Sequence, residues 1–419
     1  MSTSNKIEIG IGSEIGELEA VIIHSPGPEV ENMTPLTAER ALYSDILNLN
    51  VACKEYSQLK KILESYSKIY EVKDLLCDTL KNEQTKIDLI KKITHSCENP
   101  RIYDNLIELP EKTLTNQLIE GVLLEKNNLT NYLNKNNYSL EPLHNFFFTR
   151  DSAFIINKDV FTGEMAKKIR IREALIMESI FNNHPQFQTT VSSADYQKIN
   201  NKNITIEGGD IIVISENILL IGIGARTSSE GVDHIINRIL DKNEIRYIIV
   251  QEIPHSPESF VHLDMIFSFL DKNTCVIYEP VILNRITYKT VLITIDNKKV
   301  KKIETVDNII MSLKQLGIDI KTIPCGGKNE KLIQEREQWH SGANFFALAP
   351  GKVIGYERNI HTNEELNKIG YEIIKATDVI NGIADLTKYK NFVVTIEGGE
   401  LARGGGGPRC MTLPVKRKS

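Results

Sequence analysis

A six-residue segment occurs twice in the chain and constrains its fold more than any other feature. Thr205-Ile206-Glu207-Gly208-Gly209-Asp210 reappears as Thr395-Ile396-Glu397-Gly398-Gly399-Glu400. Both copies lie in a sequence where strand and helix patterns alternate, which predicts an α/β protein. Because the units repeat, we expect a pseudo-symmetric array of βαβ units and not one open sheet.

Individual elements can be predicted from apolar spacing and from start and stop signals. Leu18 to His24 is typical of a buried strand, ended by a Ser-Pro-Gly-Pro turn. The range 35–66 predicts one helix, with Thr34 as its N-cap and a proline at its first position. Further strands are predicted at 153–156, 203–206, 210–214, 218–221 and 247–250, and helices at 166–181 and 227–240.

The range 73–135 differs from the rest of the chain. It contains only helical patterns, interrupted at Asn99-Pro100 and at Leu109-Pro110. We therefore expect a small helical domain inserted into an α/β domain formed by residues 1–72 and 136–419.

Composition excludes several classes of protein. A net charge of −5 over 419 residues gives no basic face for nucleic acid. No apolar run approaches the length needed to cross a membrane, and the first residues lack an apolar secretion signal. The six cysteines form no CxxC pair and no cluster with metal-ligand spacing. We expect a cytoplasmic protein with reduced cysteines, no metal and no partner among nucleic acids or membranes.

The stretch from Arg403 to Met411 combines four consecutive glycines with a single cysteine, Cys410. Glycine permits close approach of backbone to a ligand. Two interpretations are open for this stretch alone: a frayed C-terminal tail, or a nucleophile presented on a flexible loop that closes over a substrate.

Three further stretches carry reactive side chains, each with a structural alternative. Asn145 to Asp151 runs three aromatic residues into an Arg-Asp pair, which packing and a surface ion pair would also explain. The segment 207–210 places two acids around glycines, as a β-turn between strands does. His262 and Asp264 would share one face if they lay on a strand.

Together these stretches supply a thiol, a histidine and several carboxylates. Histidine can serve as general acid and base. Carboxylates around a thiol suit a cationic electrophile, because a guanidinium stays protonated and offers five N–H donors to paired oxygens. The combination therefore favours nucleophilic chemistry on a guanidinium.

These motifs resemble the arginine deiminase family of the guanidine-modifying (pentein) superfamily. The resemblance covers nearly the whole chain, in the order Ser13 to Gly16, Phe148 to Asp151, Glu207 to Asp210, His262 to Asp264, Arg336 to Trp339, and Arg403 to Met411. It implies a five-bladed α/β propeller with the site at its pseudo-axis and the inserted helical domain. It also implies hydrolysis of L-arginine to L-citrulline and ammonia without a cofactor, in a homodimer or homotetramer.

The resemblance implies a catalytic role for five residues. Cys410 would attack the guanidinium carbon to form an amidino-thioether (thiouronium) intermediate, and His262 would protonate the ammonia and then activate water. Glu207 would keep His262 cationic, and Asp151 and Asp264 would grip the guanidinium nitrogens. Because carboxylates oppose ionisation of a neighbouring thiol, we expect Cys410 to be neutral until substrate binds.

Substrate-binding roles are implied for five more residues. Arg170 and Arg226 would bind the substrate carboxylate, Asn145 its amino-acid end, and Phe148 would line the channel. Asp210 would act as a substrate-binding or supporting acid. Glu397, in the second copy of the repeat, is interpreted as structural, Trp339 as packing, and His255 as structural or exposed.

One departure and two alternatives remain. Some family members carry a gating arginine five residues before the cysteine, where this chain has Gly405. Another pentein reaction, either hydrolysis of agmatine or a methylarginine or transfer of the amidino group, would use the same residues. A catalytically inactive binding propeller is the non-enzymatic alternative.

Overall fold

Helices and strands alternate along most of the chain. The computed structural model describes residues 6–418 apart from 41–42, 44, 98, 100–101, 188, 190, 193–202, 243, 285 and 329. In these residues the α-helices are α1 Pro28–Glu31, α2 Pro35–Arg40, α3 Leu49–Tyr66, α4 Val72–Thr79, α5 Glu83–Ser96, α6 Ile102–Ile107, α7 Glu111–Glu120, α8 Leu129–Leu133, α9 Thr149–Ser152, α10 Ile171–Asn183, α11 Ser229–Ile239, α12 Glu279–Ile282, α13 Ile309–Gln315, α14 Lys331–Trp339, α15 Ile360–Lys368 and α16 Ala376–Ile380.

The strands are short and mostly buried. They are β1 Leu18–Ile23, β2 Lys68–Glu71, β3 Val122–Leu123, β4 Tyr138–Leu140, β5 Ala153–Ile156, β6 Asp159–Thr162, β7 Val191–Ser192, β8 Ile211–Ser215, β9 Ile218–Ile223, β10 Tyr247–Glu252, β11 Phe267–Asp271, β12 Thr274–Ile277, β13 Thr290–Asp296, β14 Lys299–Val306, β15 Lys321–Pro324, β16 Phe346–Ala349, β17 Lys352–Tyr356, β18 Glu372–Lys375, β19 Phe392–Ile396 and β20 Leu413–Arg417.

The strands form separate mixed sheets and not one continuous sheet. Their orders are β2-β1-β20, β5-β6-β7, β14-β13-β10-β9-β8, β11-β12-β15 and β16-β17-β19-β18, with β3 and β4 as a hairpin. The first strand pairs antiparallel with the last, so residues from both ends of the chain close one sheet. Mixed α/β architecture is confirmed.

One unit shows how the sequence specifies these elements. Strand β9 is uniformly apolar and buried, as expected for a strand covered on both faces, and β10 runs parallel to it. Between them, Ser228 caps α11 by accepting from the Gly231 amide. Val232, Ile235, Ile236 and Ile239 form one buried stripe on that helix.

Some predicted elements are wrong in detail. The single helix predicted over 35–66 is two helices, α2 and α3, and Asn48 caps the second by accepting from the Val51 amide. The strand predicted at 203–206 is reduced to one bridge between Ile206 and Glu164. His262 and Asp264 do not lie on a strand, because Leu263–Met265 is a short 3₁₀ turn.

The range 73–135 contains α5 to α8 and most of α4, together with the short strand β3, which the sequence did not predict. Helices α4 and α5 pack against α10, and Lys92 of α5 pairs with Glu178 of α10 at 3.0 Å. Ile90 and Ile93 of α5 belong to the same buried cluster as Ile180 and Phe181 of α10. No helix among the described residues is both long and apolar enough to cross a membrane.

Candidate active site

A cavity of about 210 Å³ opens beside the glycine-rich stretch. Cys410, His262 and Asp151 line it, and so do four of the predicted binding residues: Asn145, Phe148, Arg170 and Arg226. The other three predicted residues, Glu207, Asp210 and Asp264, do not line the cavity and are fully buried. The fold thus brings together side chains from the separate stretches singled out in the sequence.

The cysteine is presented by a tightly packed turn. Only Gly405 of the four glycines is exposed; it adopts φ 82°, in the left-handed region that favours glycine. A Cβ on Gly406 would lie 2.4 Å from Phe148 Cε1. Tyr356 Oη also donates to the Gly406 carbonyl at 2.9 Å. The interpretation as a frayed tail is therefore wrong.

The Cys410 thiol is buried beside a carboxylate and a side-chain amide. Its Sγ lies 3.6 Å from Asp264 Oδ2, and Asn344 Nδ2 donates to it at 3.2 Å. Burial, together with the carboxylates of Asp264 and Asp151, raises the pKa of this thiol well above its usual value. This direction agrees with the expectation that the thiol is neutral before a cation binds.

His262 is held as an imidazolium between two carboxylates. Its Nε2 lies 2.9 Å from Glu207 Oε2, and its Nδ1 lies 3.5 Å from Asp151 Oδ1. Burial alone would lower the pKa of His262, but Asp151, Glu207 and Asp210 outweigh it and raise that pKa to about 9. The histidine can therefore deliver a proton at neutral pH.

Glu207 is the centre of this charge network. Its carboxylate lies 3.6 Å from Arg226 Nη1 and 3.8 Å from Arg170 Nη1, and it accepts from the Ala166 amide at 3.1 Å. Burial would raise the pKa of Glu207, yet Arg226, His262 and Arg170 lower it to about 2. Glu207 therefore stays ionised and supports the positive charge on His262.

Asp151, Glu207 and His262 place one ligand atom each within 4.8 Å of one another, a grouping that could hold a metal ion. The sequence did not predict it, since no metal spacing was visible. A protonated imidazole offers no lone pair to a metal, however, and two guanidinium groups already neutralise the carboxylates. The donor set fits an ion-pair network better than a metal centre.

The guanidinium groups of the two predicted arginines differ in their hydrogen bonding. Arg170 Nη1 donates to Asp151 Oδ2 at 2.7 Å, and its Nε and Nη2 bind Glu173. Arg226 is buried, and its Nη1 has no hydrogen-bond partner within the described residues. Arg170 therefore fixes Asp151, whereas Arg226 keeps an N–H group that can donate a hydrogen bond to an anionic ligand.

Asp210 and Asp264 support the cavity from behind. Asp210 Oδ1 accepts from the Leu263 amide at 2.8 Å, and burial raises its pKa to about 7. Asp264 Oδ2 accepts from Arg409 Nη1 at 2.9 Å, while its buried Oδ1 has no hydrogen-bond partner in the described part of the chain. One oxygen of Asp264 is thus fixed by Arg409, and the other is buried and can still accept a hydrogen bond.

Sequence reasoning missed several residues of the site. Arg409 directs its guanidinium at Glu14, Asp264 and the carbonyls of Gly209 and Ile211. Its position next to the nucleophile was the available signal, whereas Asn344 lies in an inconspicuous loop before β16. His255, interpreted as structural or exposed, and Trp339, interpreted as packing, also line the cavity.

The second copy of the repeated segment lies elsewhere. Glu397 binds Gln58 through both its side chain and its backbone amide and does not line the cavity. The amides of Glu400 and Leu401 donate to Glu55. These contacts tie α3 to the stretch that leads into the glycines, as a structural role requires.

Comparison with known proteins gives one family. A family model described as arginine deiminase matches residues 39–417. A protein of Treponema denticola named arginine deiminase is 32% identical over 434 residues, which cover 98% of this chain and 98% of that protein. One of the same name from Listeria innocua is 30% identical over 425 residues, with 98% of each chain covered.

Two solved structures have a similar fold over nearly the whole chain. SxtG, an amidinotransferase from Microseira wollei, has a TM-score of 0.54 at 15% identity, over 99% of this chain and 98% of its own. The product-bound N-terminal domain of ArgZ, an arginine dihydrolase from cyanobacteria, has a TM-score of 0.52 at 13% identity, over 96% of this chain and 98% of its own. At these identities the likeness shows the fold alone, a mixed α/β fold.

Proposed function

The chain belongs to the arginine deiminase family, and on this premise we propose that it hydrolyses L-arginine to L-citrulline and ammonia. The observation that carries the proposal is a buried thiol beside a cationic histidine and a ring of carboxylates: Cys410 Sγ lies 3.6 Å from Asp264, and His262 lies between Asp151 and Glu207. A guanidinium is the electrophile that this charge pattern attracts.

Recognition of the substrate would divide between the two ends of the cavity. Asp151 on the cavity wall would accept from the guanidinium nitrogens, and so would Asp264 Oδ1, which is buried behind the wall and has no hydrogen-bond partner among the described residues. Arg226, whose Nη1 forms an ion pair with Glu207 but has no hydrogen-bond partner among the described residues, would bind the carboxylate at the other end. Arg170 would contribute positive charge there while it holds Asp151 in place.

The walls of the cavity would complete this recognition. Asn145 would contact the amino-acid end, and Phe148 would line the channel, because both lie on the cavity wall. Asp210 would act indirectly, through its hydrogen bond to the Leu263 amide beside His262.

The first half-reaction would form a carbon–sulfur bond. A bound cation favours release of the thiol proton to solvent, and the Cys410 thiolate attacks the guanidinium carbon to give a neutral tetrahedral adduct. His262 donates its proton to one nitrogen, which leaves as ammonia. The remaining amidino group stays on sulfur as a cationic thiouronium, and His262 is left neutral.

The second half-reaction would break that bond. Neutral His262 takes a proton from water as the hydroxide adds to the thiouronium carbon, which restores the imidazolium. The tetrahedral adduct then expels the Cys410 thiolate, which takes up the hydroxyl proton of the adduct and becomes the thiol again, and citrulline is released. The carboxylate of Glu207, with its pKa of about 2, favours the charged histidine at the start and end of the cycle.

We extend the proposal to the whole molecule. The five sheets of three or more strands, with the first and last strands joined, support a five-bladed propeller with an inserted helical domain at 73–135. A cytoplasmic homodimer or homotetramer follows from the family resemblance. Sedimentation equilibrium tests the oligomeric state.

The activity is tested with purified protein and three substrates. L-arginine is expected to yield citrulline and ammonia, and agmatine and methylarginines much less, because they lack the carboxylate or add bulk. Cys410→Ala should remove turnover while circular dichroism stays unchanged. Absence of citrulline from arginine would overturn the proposal, and residual turnover by the alanine variant would exclude the covalent route.

A further inference from the structure

Asn344 lies against the sulfur of Cys410 in the loop between α14 and β16. Its Nδ2 is 3.2 Å from Sγ and 3.0 Å from the Asp264 carbonyl. The side chain is fully buried and comes from a part of the chain remote from the glycine-rich stretch. It therefore reaches the reacting atom without being part of the motif that carries it.

The orientation of this amide is fixed by its partners. Its Oδ1 accepts from the backbone amides of Arg409 at 2.9 Å and Cys410 at 3.4 Å. Backbone N–H groups can only donate, so the oxygen must face them. The NH₂ group must then face the sulfur and the Asp264 carbonyl, both of which can accept.

Among the described side chains that are hydrogen-bonded to the sulfur, Asn344 supplies the N–H donor, and a backbone hydrogen bond from Gly407 adds to it. Asp264 Oδ2 at 3.6 Å is an acceptor, and Met265 Sδ at 3.9 Å carries no proton. The carboxylates of Asp264 and Asp151 both oppose a negative charge on Cys410. A hydrogen bond to an ionised group is stronger than one to a neutral group, so the amide favours thiolate over thiol.

We propose that Asn344 is a further catalytic residue, whose Nδ2–H stabilises the Cys410 thiolate. The role rests on the proposed function and deepens it, because the thiolate appears twice in that reaction, as nucleophile and as leaving group. The two backbone contacts of Oδ1 also hold the nucleophile turn in register with the amide. A Cβ on Gly407 would lie 2.5 Å from Asn344 Oδ1, which explains the glycine there.

The test uses the full chain and two substitutions. Asn344→Ala removes the donor. Asn344→Asp replaces the donor with a carboxylate oxygen and keeps the other oxygen for the backbone amides. The rate of alkylation of Cys410 by iodoacetamide is measured from pH 6 to 10 by peptide mass, which separates Cys410 from the other five cysteines. Citrulline formation gives kcat and KM on the same samples.

In both variants, iodoacetamide is expected to alkylate Cys410 about tenfold more slowly at pH 8, and the pH profile of the alkylation rate should shift to higher pH. The kcat of both variants should fall by roughly ten- to a hundredfold, with a smaller change in KM. Asn308→Ala is the matched control, since this buried asparagine caps α13 by accepting from the Met311 amide. It should keep the wild-type profile.

Wild-type alkylation profiles in both Asn344 variants would overturn the role. If Asn344→Ala does not fold, the aspartate variant decides. If the wild-type chain forms no citrulline, the proposed function fails, whereas the alkylation profiles still decide whether Asn344 acts on the thiol.

Discussion

At the scale of single residues, the site depends on one proton. Burial alone would leave a histidine neutral, but His262 faces Asp151 and Glu207 and has a pKa of about 9. Because this pKa is raised from 6.5, the charged histidine stabilises the fold fully below pH 6.5. That contribution is lost as the pH rises through about 9, together with the proton that the leaving ammonia needs.

Glu207→Gln is expected to move the alkaline limb of the kcat profile to lower pH. The substitution removes the carboxylate at 2.9 Å and leaves Arg226 and Arg170 without their shared partner, so the pKa of His262 falls. A loss of kcat of up to about a hundredfold at pH 8.5 follows from the missing general acid. The pH dependence of citrulline formation measures it.

The repeated segment provides the control for this variant. Glu397→Gln changes the corresponding residue of the second copy, which binds Gln58 outside the cavity. It should keep the wild-type alkaline limb. An alkaline limb that stays in place in Glu207→Gln would mean that Glu207 does not set the charge of His262.

At the same scale, the sequence was informative about residue types and not about their arrangement. The acids, the histidine and the cysteine were recognisable because their combination fits a guanidinium. Asn344 and Arg409 were not, since an amide in a loop and an arginine beside a cysteine are common. Their roles depend on partners such as Asp264 and Glu14 that lie far away in the sequence.

At the scale of elements, periodicity predicted helices better than short strands. The helix α11 has a cap and an apolar stripe, and both are visible in the sequence. His262 and Asp264 would share one face on a strand, yet Leu263–Met265 is a 3₁₀ turn, which the hydrogen bond from the Leu263 amide to Asp210 holds in place. A tertiary contact of this kind leaves no local pattern.

The glycine-rich turn allows a direct test of close packing. Gly406→Ala is expected to lower kcat/KM by about tenfold or more, because its Cβ would lie 2.4 Å from Phe148 Cε1 and must displace the ring or the turn that carries Cys410. Gly10→Ala is the control, since its Cβ would meet only the Asn157 carbonyl at 4.0 Å. Wild-type kinetics in Gly406→Ala would show that the turn tolerates displacement.

At the scale of the whole molecule, helices of the range 73–135 share a buried core with the neighbouring sheet. The insert was predicted from a change of pattern at 73–135, but the sequence could not show where its apolar faces would pack. Helix α5 contributes Ile90 to a cluster that also contains Phe161 of β6 and Ile180 of α10. This continuity implies that the insert and the sheet unfold together.

Ile90→Ala is expected to lower the free energy of unfolding of the entire chain by about 2–5 kcal/mol, because it leaves a cavity in that shared core. Unfolding in urea, followed by circular dichroism and by loss of citrulline formation, should give one transition with coincident midpoints, both shifted. Leu133→Ala is the control, because this α8 side chain in the same range is 68% exposed. It should change both midpoints little. An early loss of helical signal with activity retained would mean instead that the insert unfolds independently of the site.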